Sequence, residues 1–150
     1  MPIAAAPLLL CTLLAPDLPD WLCAQEGYRY APYRDSRGYW TVGYGHRSDG
    51  LMYFSRARAL ATLEADCETA CQGALRVYPD LDDLPSAARF VLIAMAFQLG
   101  ARGLAGFVDM RAHIGNGNYL LAAGALMRSR FAAQCPARAR DLAARLAGVP

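Results

Sequence analysis

The run Phe90-Val91-Leu92-Ile93-Ala94-Met95-Ala96-Phe97 is uninterrupted by any polar side chain and sits in a stretch, Ala87 to Leu99, that contains no proline. A helix apolar on every side offers no face to water, so it must be the centre around which other elements pack. Ser86 is read as its cap, Gly100 as its end, and Gln98 as the polar residue of its last turn. At 150 residues the chain suffices for one globular unit with a real core. With 55% hydrophobic and 19% charged residues it is neither disordered nor of low complexity.

Before this helix the texture changes twice. Asp17 to Asp20 offers capping acids for a short helix over Trp21 to Gln25 that ends near Gly27. From Tyr28 to Tyr44 aromatic and β-branched residues take over, with Ser36-Arg37-Gly38 as a turn between Tyr28-Arg29-Tyr30 and Tyr39-Trp40-Thr41-Val42. This pattern predicts a hairpin, to which Leu51 to Phe54 adds a third strand. Ser55 then caps a helix from Arg56 to about Val77, whose apolar stripe includes Leu60, Leu63, Cys67, Cys71 and Ala74. A helix of roughly 20 residues spans about 30 Å. Between a β-rich segment and a helical remainder it reads as a strut joining two lobes, with a cleft between them as the natural substrate site. Beyond the acidic turn Tyr78 to Pro85, helices are expected at Leu104 to Ile114, Tyr119 to Phe131 and Ala137 to Ala147, started by Asn118 and Pro136. The expected organisation is an apolar lead over residues 1–16, then one domain over 17–150. That domain comprises a small β-containing lobe (17–54), a linking helix (55–77) and a helical lobe (78–150).

The net charge of +2 hides a split. Residues 1–85 hold 7 arginines and 11 acids, whereas residues 86–150 hold 8 arginines and only Asp109 and Asp141. Such a basic half suits an anionic polymer, an acidic membrane or a charged cell wall, or is simply a solvated face. Five cysteines without a C-x-x-C pair, and only His46 and His113 beside them, do not make a zinc site. Cys67 and Cys71, four apart on one helix, read as small buried thiols rather than a disulfide. The lead Pro2 to Pro16 lacks a basic start and is broken by Pro7 and Pro16, so it is read as a signal sequence of poor form, a membrane-touching lead or a segment that packs on the body. No run reaches the roughly 18–20 apolar residues of a spanning helix.

The chemistry concentrates in Glu26-Gly27-Tyr28 through Thr41-Val42-Gly43-Tyr44-Gly45-His46. One acid stands at a helix end, another beside a turn, and a hydroxyl on the returning strand. Two carboxylates and a water-binding hydroxyl are the parts needed to hydrolyse a glycosidic bond: one acid protonates the leaving oxygen while the other positions water. Asp35 beside a turn is also simply a turn former. Tyr28, Tyr30, Tyr33, Tyr39 and Trp40 suit stacking on sugar rings, yet in a small hairpin they equally supply its miniature core.

Glu26, with Asp35 nine residues on, Thr41 six further and then Thr-Val-Gly-Tyr-Gly-His, resembles the active-site signature of phage-type lysozymes, the endolysins of glycoside hydrolase family 24. The resemblance continues through Ala94-Met95-Ala96-Phe97-Gln98-Leu99-Gly100, Gly103 to Phe107, Ser129-Arg130-Phe131 and Gln134 to Ala139, so it covers about residues 17–148. It implies a lysozyme-like α+β fold, mostly α, with a small hairpin lobe and a larger helical lobe joined by a long helix. It further implies an N-acetylmuramidase that cleaves the β-1,4 bond between N-acetylmuramic acid and N-acetylglucosamine. Carried over by position, Glu26 is the general acid, and Asp35 and Thr41 hold the attacking water for a single, inverting displacement. Phe97 and Gln98 match cleft-floor positions where an amide reads a sugar's N-acetyl group. Arg138 matches an arginine paired with the catalytic glutamate, a pairing that favours the charged acid unless burial opposes it. His46 and Asp66 match a structural ion pair.

Two departures stand out. Only Arg47 to Phe54 separates His46 from the long helix, which trims the lower lip of the implied cleft, and the apolar lead is longer than the family needs. The trimmed lip and basic half also suit a wall-binding module with little turnover. A lytic transglycosylase is disfavoured by Asp35 and Thr41, because a reaction without water needs no group to place one. The resemblance implies peptidoglycan as partner, no nucleic acid, no stable membrane span, no metal or cofactor, and a monomer. It implies synthesis in the bacterial host cytoplasm and action on the wall.

Overall fold

The computed structural model describes residues 9–150, so the first half of the apolar lead lies outside the described residues. The chain divides into two compact units, one ending at Thr69 and the other beginning at Ala70.

In the first unit, α1 (Leu10–Leu14) is followed by α2 (Leu18–Glu26), the strands β1 (Arg29–Arg34), β2 (Trp40–Gly43) and β3 (His46–Arg47), and the start of α3 (Arg56–Val77). The lead's described part buries Cys11 and Leu14, and the Cys11 amide donates to the Glu68 carboxylate at 3.0 Å. Pro19 lies in the first turn of α2, where its missing N–H costs nothing. Leu18 and Leu22, both fully buried, join Val42, Phe54 and Leu63 in this unit's core. The sheet is antiparallel in the order β1-β2-β3, with Tyr33 opposite Thr41 and Arg34 opposite Trp40. Its register slips between Arg29 and Tyr33, where Pro32 has no N–H to donate, as suits an edge strand.

The third strand differs from expectation. It is the two-residue β3, paired through Val42 with His46 and Thr41 with Arg47, whereas Leu51 to Tyr53 are exposed and irregular. The apolar character of Leu51 to Phe54 mimics a strand, but only Phe54 turns inward, and its amide donates to the Tyr30 carbonyl at 3.0 Å. At the start of α3, the Ser55 hydroxyl accepts the Arg58 amide at 3.2 Å, the N-cap read from sequence.

The second unit holds the rest of α3, a 3₁₀ turn (Leu81–Asp83), α4 (Ser86–Ala105), α5 (Val108–Gly115), α6 (Tyr119–Met127), α7 (Arg130–Gln134) and α8 (Pro136–Ala147). Ala88 and Phe90 through Ala96 of α4 are buried, as an all-round apolar helix requires. Helix α4 is nonetheless long and apolar enough to cross a membrane by length and composition, contrary to the expectation that no run qualifies. Its buried residues make it the centre of this unit, packed against α8. Ser86 is its first residue rather than its cap, and Pro85 occupies the cap position. Gly100 breaks the helix with φ +70° and ψ 170°, after which the chain resumes helical turns to Ala105.

Two helices read as continuous are divided. Leu104 to Ile114 is interrupted at Gly106 and Phe107, and Tyr119 to Phe131 at Arg128 and Ser129. The Ser129 hydroxyl caps α7 by accepting the Ala132 amide at 3.2 Å, a local device that apolar periodicity does not register. Arg111 donates to the carbonyls of Val77 and Ala105, the last residues of α3 and α4, at 3.2 and 2.8 Å, where a cation complements the helix dipoles. All five cysteines are free thiols, with Cys11, Cys67 and Cys71 buried.

Candidate active site

Glu26 is the last residue of α2, and Gly27 at the cap (φ +67°) donates its amide to the Cys23 carbonyl at 3.1 Å. The glycine cap ends the helix and turns the chain into β1, leaving Glu26 half-buried at the junction. Gly45 lies against this side chain. A Cβ there would stand 2.8 Å from Glu26 Oε2 and 3.1 Å from Cδ, and φ is +72°. Glycine is required at 45 both by the backbone and by the seat it leaves for the carboxylate.

Asp35 opens the hairpin turn. Its Oδ1 accepts the amides of Arg37 and Tyr39, each at 2.9 Å, while its own amide donates to the Tyr39 carbonyl at 2.9 Å. Asp35 therefore is a turn former, and the turn fixes its carboxylate with one oxygen engaged and Oδ2 outside those bonds. Thr41, 5% exposed, is a buried polar side chain on β2. Its hydroxyl donates to the Tyr39 carbonyl at 3.1 Å, which leaves its oxygen lone pairs to accept from another donor.

Tyr33, opposite Thr41, was read from the sequence only as one of five aromatics suited to sugar stacking or to the miniature core, not as a neighbour of the two acids. Burial raises its phenol above the usual range; Arg29, stacked over the ring at 4.3 Å, opposes this, and the charges of Glu26 and Asp35 raise it further. The ring thus lies within electrostatic range of both carboxylates. Its signal was the hairpin register, because a turn over 36–38 pairs residue 33 with residue 41.

Around these groups the aromatic set divides. Tyr28 and Tyr44 pack with centroids 5.6 Å apart, and the Tyr28 hydroxyl donates to the Phe54 carbonyl at 2.8 Å, so they belong to the miniature core. Tyr30 and Tyr39 are exposed, and arginines lie over Trp40 (Arg34, 4.5 Å) and Tyr39 (Arg47, 3.8 Å). His46 Nδ1 and Asp66 Oδ2 lie 2.7 Å apart, linking β3 to α3, and the imidazole stacks on Phe54.

In the second unit, Gln98 is clamped at both ends of its amide. Nε2 donates to Cys135 Sγ at 3.3 Å, and Oε1 accepts a short hydrogen bond from Arg138 Nη1. Phe97 beside it is half-buried.

A three-stranded antiparallel sheet within a helix-rich chain, bearing a helix-end acid, a turn acid and a buried strand hydroxyl, defines a lysozyme-like α+β protein of mostly helical content. The chain belongs to the phage lysozyme family, whose profile matches residues 23–144. It is similar to the SAR-endolysin of Enterobacteria phage P21, with 32% identity over 80 residues, which is 51% of this chain and 47% of that protein. The SAR-endolysin of Enterobacteria phage PA-2 gives the same identity and coverage. The chain thus spans about half the length of the curated relatives it matches.

Proposed function

We propose that this protein is a peptidoglycan hydrolase, an N-acetylmuramidase that cuts the β-1,4 bond between N-acetylmuramic acid and N-acetylglucosamine with inversion and so lyses the bacterial wall. The observation that carries this reading is the differing hold on its two acids. Glu26 rests against Gly45 at a helix end, while Asp35 is pinned by the turn next to the strand that bears Thr41.

In this reaction Glu26 gives its proton to the glycosidic oxygen as the C1–O bond breaks and that oxygen takes the bonding electrons. Water donates hydrogen bonds to the Asp35 carboxylate and the Thr41 oxygen, attacks C1 from the opposite face, and passes a proton to Asp35. Phe97 and Gln98 serve as substrate contacts, an assignment supported by the clamp that fixes the Gln98 amide. Arg138 supports that amide, and the His46–Asp66 pair secures β3 to α3. The enzyme works as a monomer without metal or cofactor, is made in the host cytoplasm, and acts on the wall.

The test is turbidity clearing of purified Gram-negative walls by wild type and Glu26→Gln. Loss of clearing with an unchanged circular dichroism spectrum is expected. A variant that clears as well as wild type refutes the assignment.

A further inference from the structure

The loop between β3 and α3 presents large apolar side chains in succession to solvent: Leu51 is 79% exposed, Met52 43% and Tyr53 56%. Tyr30 on β1 is 58% exposed, and its ring centroid lies 5.3 Å from that of Tyr53. Strand and loop therefore share one apolar patch, held by the Phe54 amide on the Tyr30 carbonyl. Contiguous exposed apolar surface of this kind marks a contact site, whereas apolar residues scattered singly do not.

The rim of the patch is cationic. Arg58 Nη2 donates to Met52 Sδ at 3.7 Å, with its guanidinium 4.3 Å over the Phe54 ring. Arg56 lies 4.6 Å over Tyr28. Stacking on rings holds these planar cations in place at the patch edge. The acid beside the patch, Asp49, accepts the Leu51 amide at 2.9 Å and so shapes the loop. A second copy of the chain would bring like charges together, which disfavours self-association. Protruding leucine, amphipathic tyrosines and flanking arginines are instead the composition that settles at the headgroup boundary of an anionic bilayer.

We propose that the loop Leu51–Tyr53, with Tyr30, is a docking surface for a bilayer containing anionic phospholipid. Leu51 and Tyr53 enter the headgroup boundary while Arg56 and Arg58 pair with lipid phosphates. None of Glu26, Asp35 and Thr41 is part of this proposed contact.

Co-sedimentation of the full chain with vesicles of phosphatidylglycerol and phosphatidylcholine, against phosphatidylcholine alone, tests the proposal. Wild type is expected to prefer the anionic vesicles. The Leu51→Ser/Tyr53→Ser variant should partition roughly tenfold more weakly, and Arg56→Gln/Arg58→Gln should lose the preference for anionic lipid. Should the arginine variant fail to fold, Leu51→Ser alone decides, since that side chain is 79% exposed. Absence of any preference in wild type overturns the proposal, as does unaltered partitioning of the loop variant, which would place binding elsewhere in the chain. A wild-type dimer in sedimentation that the loop variant dissolves also overturns it, because the patch would then serve a second copy.

Discussion

Replacing Gly45 by alanine separates the seat of Glu26 from backbone strain. At φ +72° an alanine costs about 1–2 kcal/mol. In a chain of this size that lowers Tm by roughly 2–8 °C. The new Cβ would also stand 2.8 Å from Glu26 Oε2, where ordinary contact begins at 3.4 Å. The carboxylate must withdraw by about 0.6 Å, because the repulsive wall is steep. Since a displacement of about 1 Å costs on the order of 100-fold in rate, wall clearing should fall at least roughly tenfold. Gly117→Ala is the matched control: φ is +73° and nothing lies within 4 Å of its added Cβ. It should show a similar loss of Tm and full activity. Equal clearing rates for the two variants, measured by turbidity on purified walls, would refute the claim that Gly45 positions the acid.

Asp35→Asn keeps an oxygen for the Arg37 and Tyr39 amides, so its Tm should stay close to wild type while clearing is lost; Asp35→Ala should lose clearing and also about 1–2 kcal/mol of stability, read by thermal melts. In alkaline absorbance titration, Tyr33 should ionise above the usual phenol range, and Glu26→Gln should bring it down by removing one of the charges that raise it. Because its folded phenol holds its proton more tightly than the unfolded one, Tyr33 contributes stability that is complete below the ordinary tyrosine range and is lost as pH rises through the folded value. Tyr33→Phe should flatten that alkaline loss in melts taken across the range.

Several elements were legible because their signals are local. The Ser55 cap and apolar stripe defined α3 from Arg56 to Val77, and the turn at Ser36 to Gly38 defined the hairpin. Glu26, Asp35 and Thr41 were picked out by the resemblance of their spacing to the phage-type lysozyme signature, since residue type alone left Asp35 equally a turn former. Strand β3 was hidden because its two residues are strand only through pairing with β2. Leu51 to Tyr53 misled because apolar composition does not reveal on which side of the surface a loop lies. The breaks at Phe107 and Ser129 depend on single residues inside sequences that otherwise favour helix. Within the site, the place of Gly45 beneath Glu26 needs three dimensions, since eighteen residues of chain lie between them. Sequence spacing likewise says nothing of the grip that Arg138 and Cys135 exert on Gln98.

The most direct measurement is a mass spectrum of the fragments released from purified Gram-negative peptidoglycan by wild type and by Glu26→Gln. Hydrolysis predicts fragments with reducing muramic acid ends from wild type and none from the variant. Anhydro ends would contradict it by showing a reaction that uses no water, and binding without fragments would show that the chain recognises the wall but does not cut it.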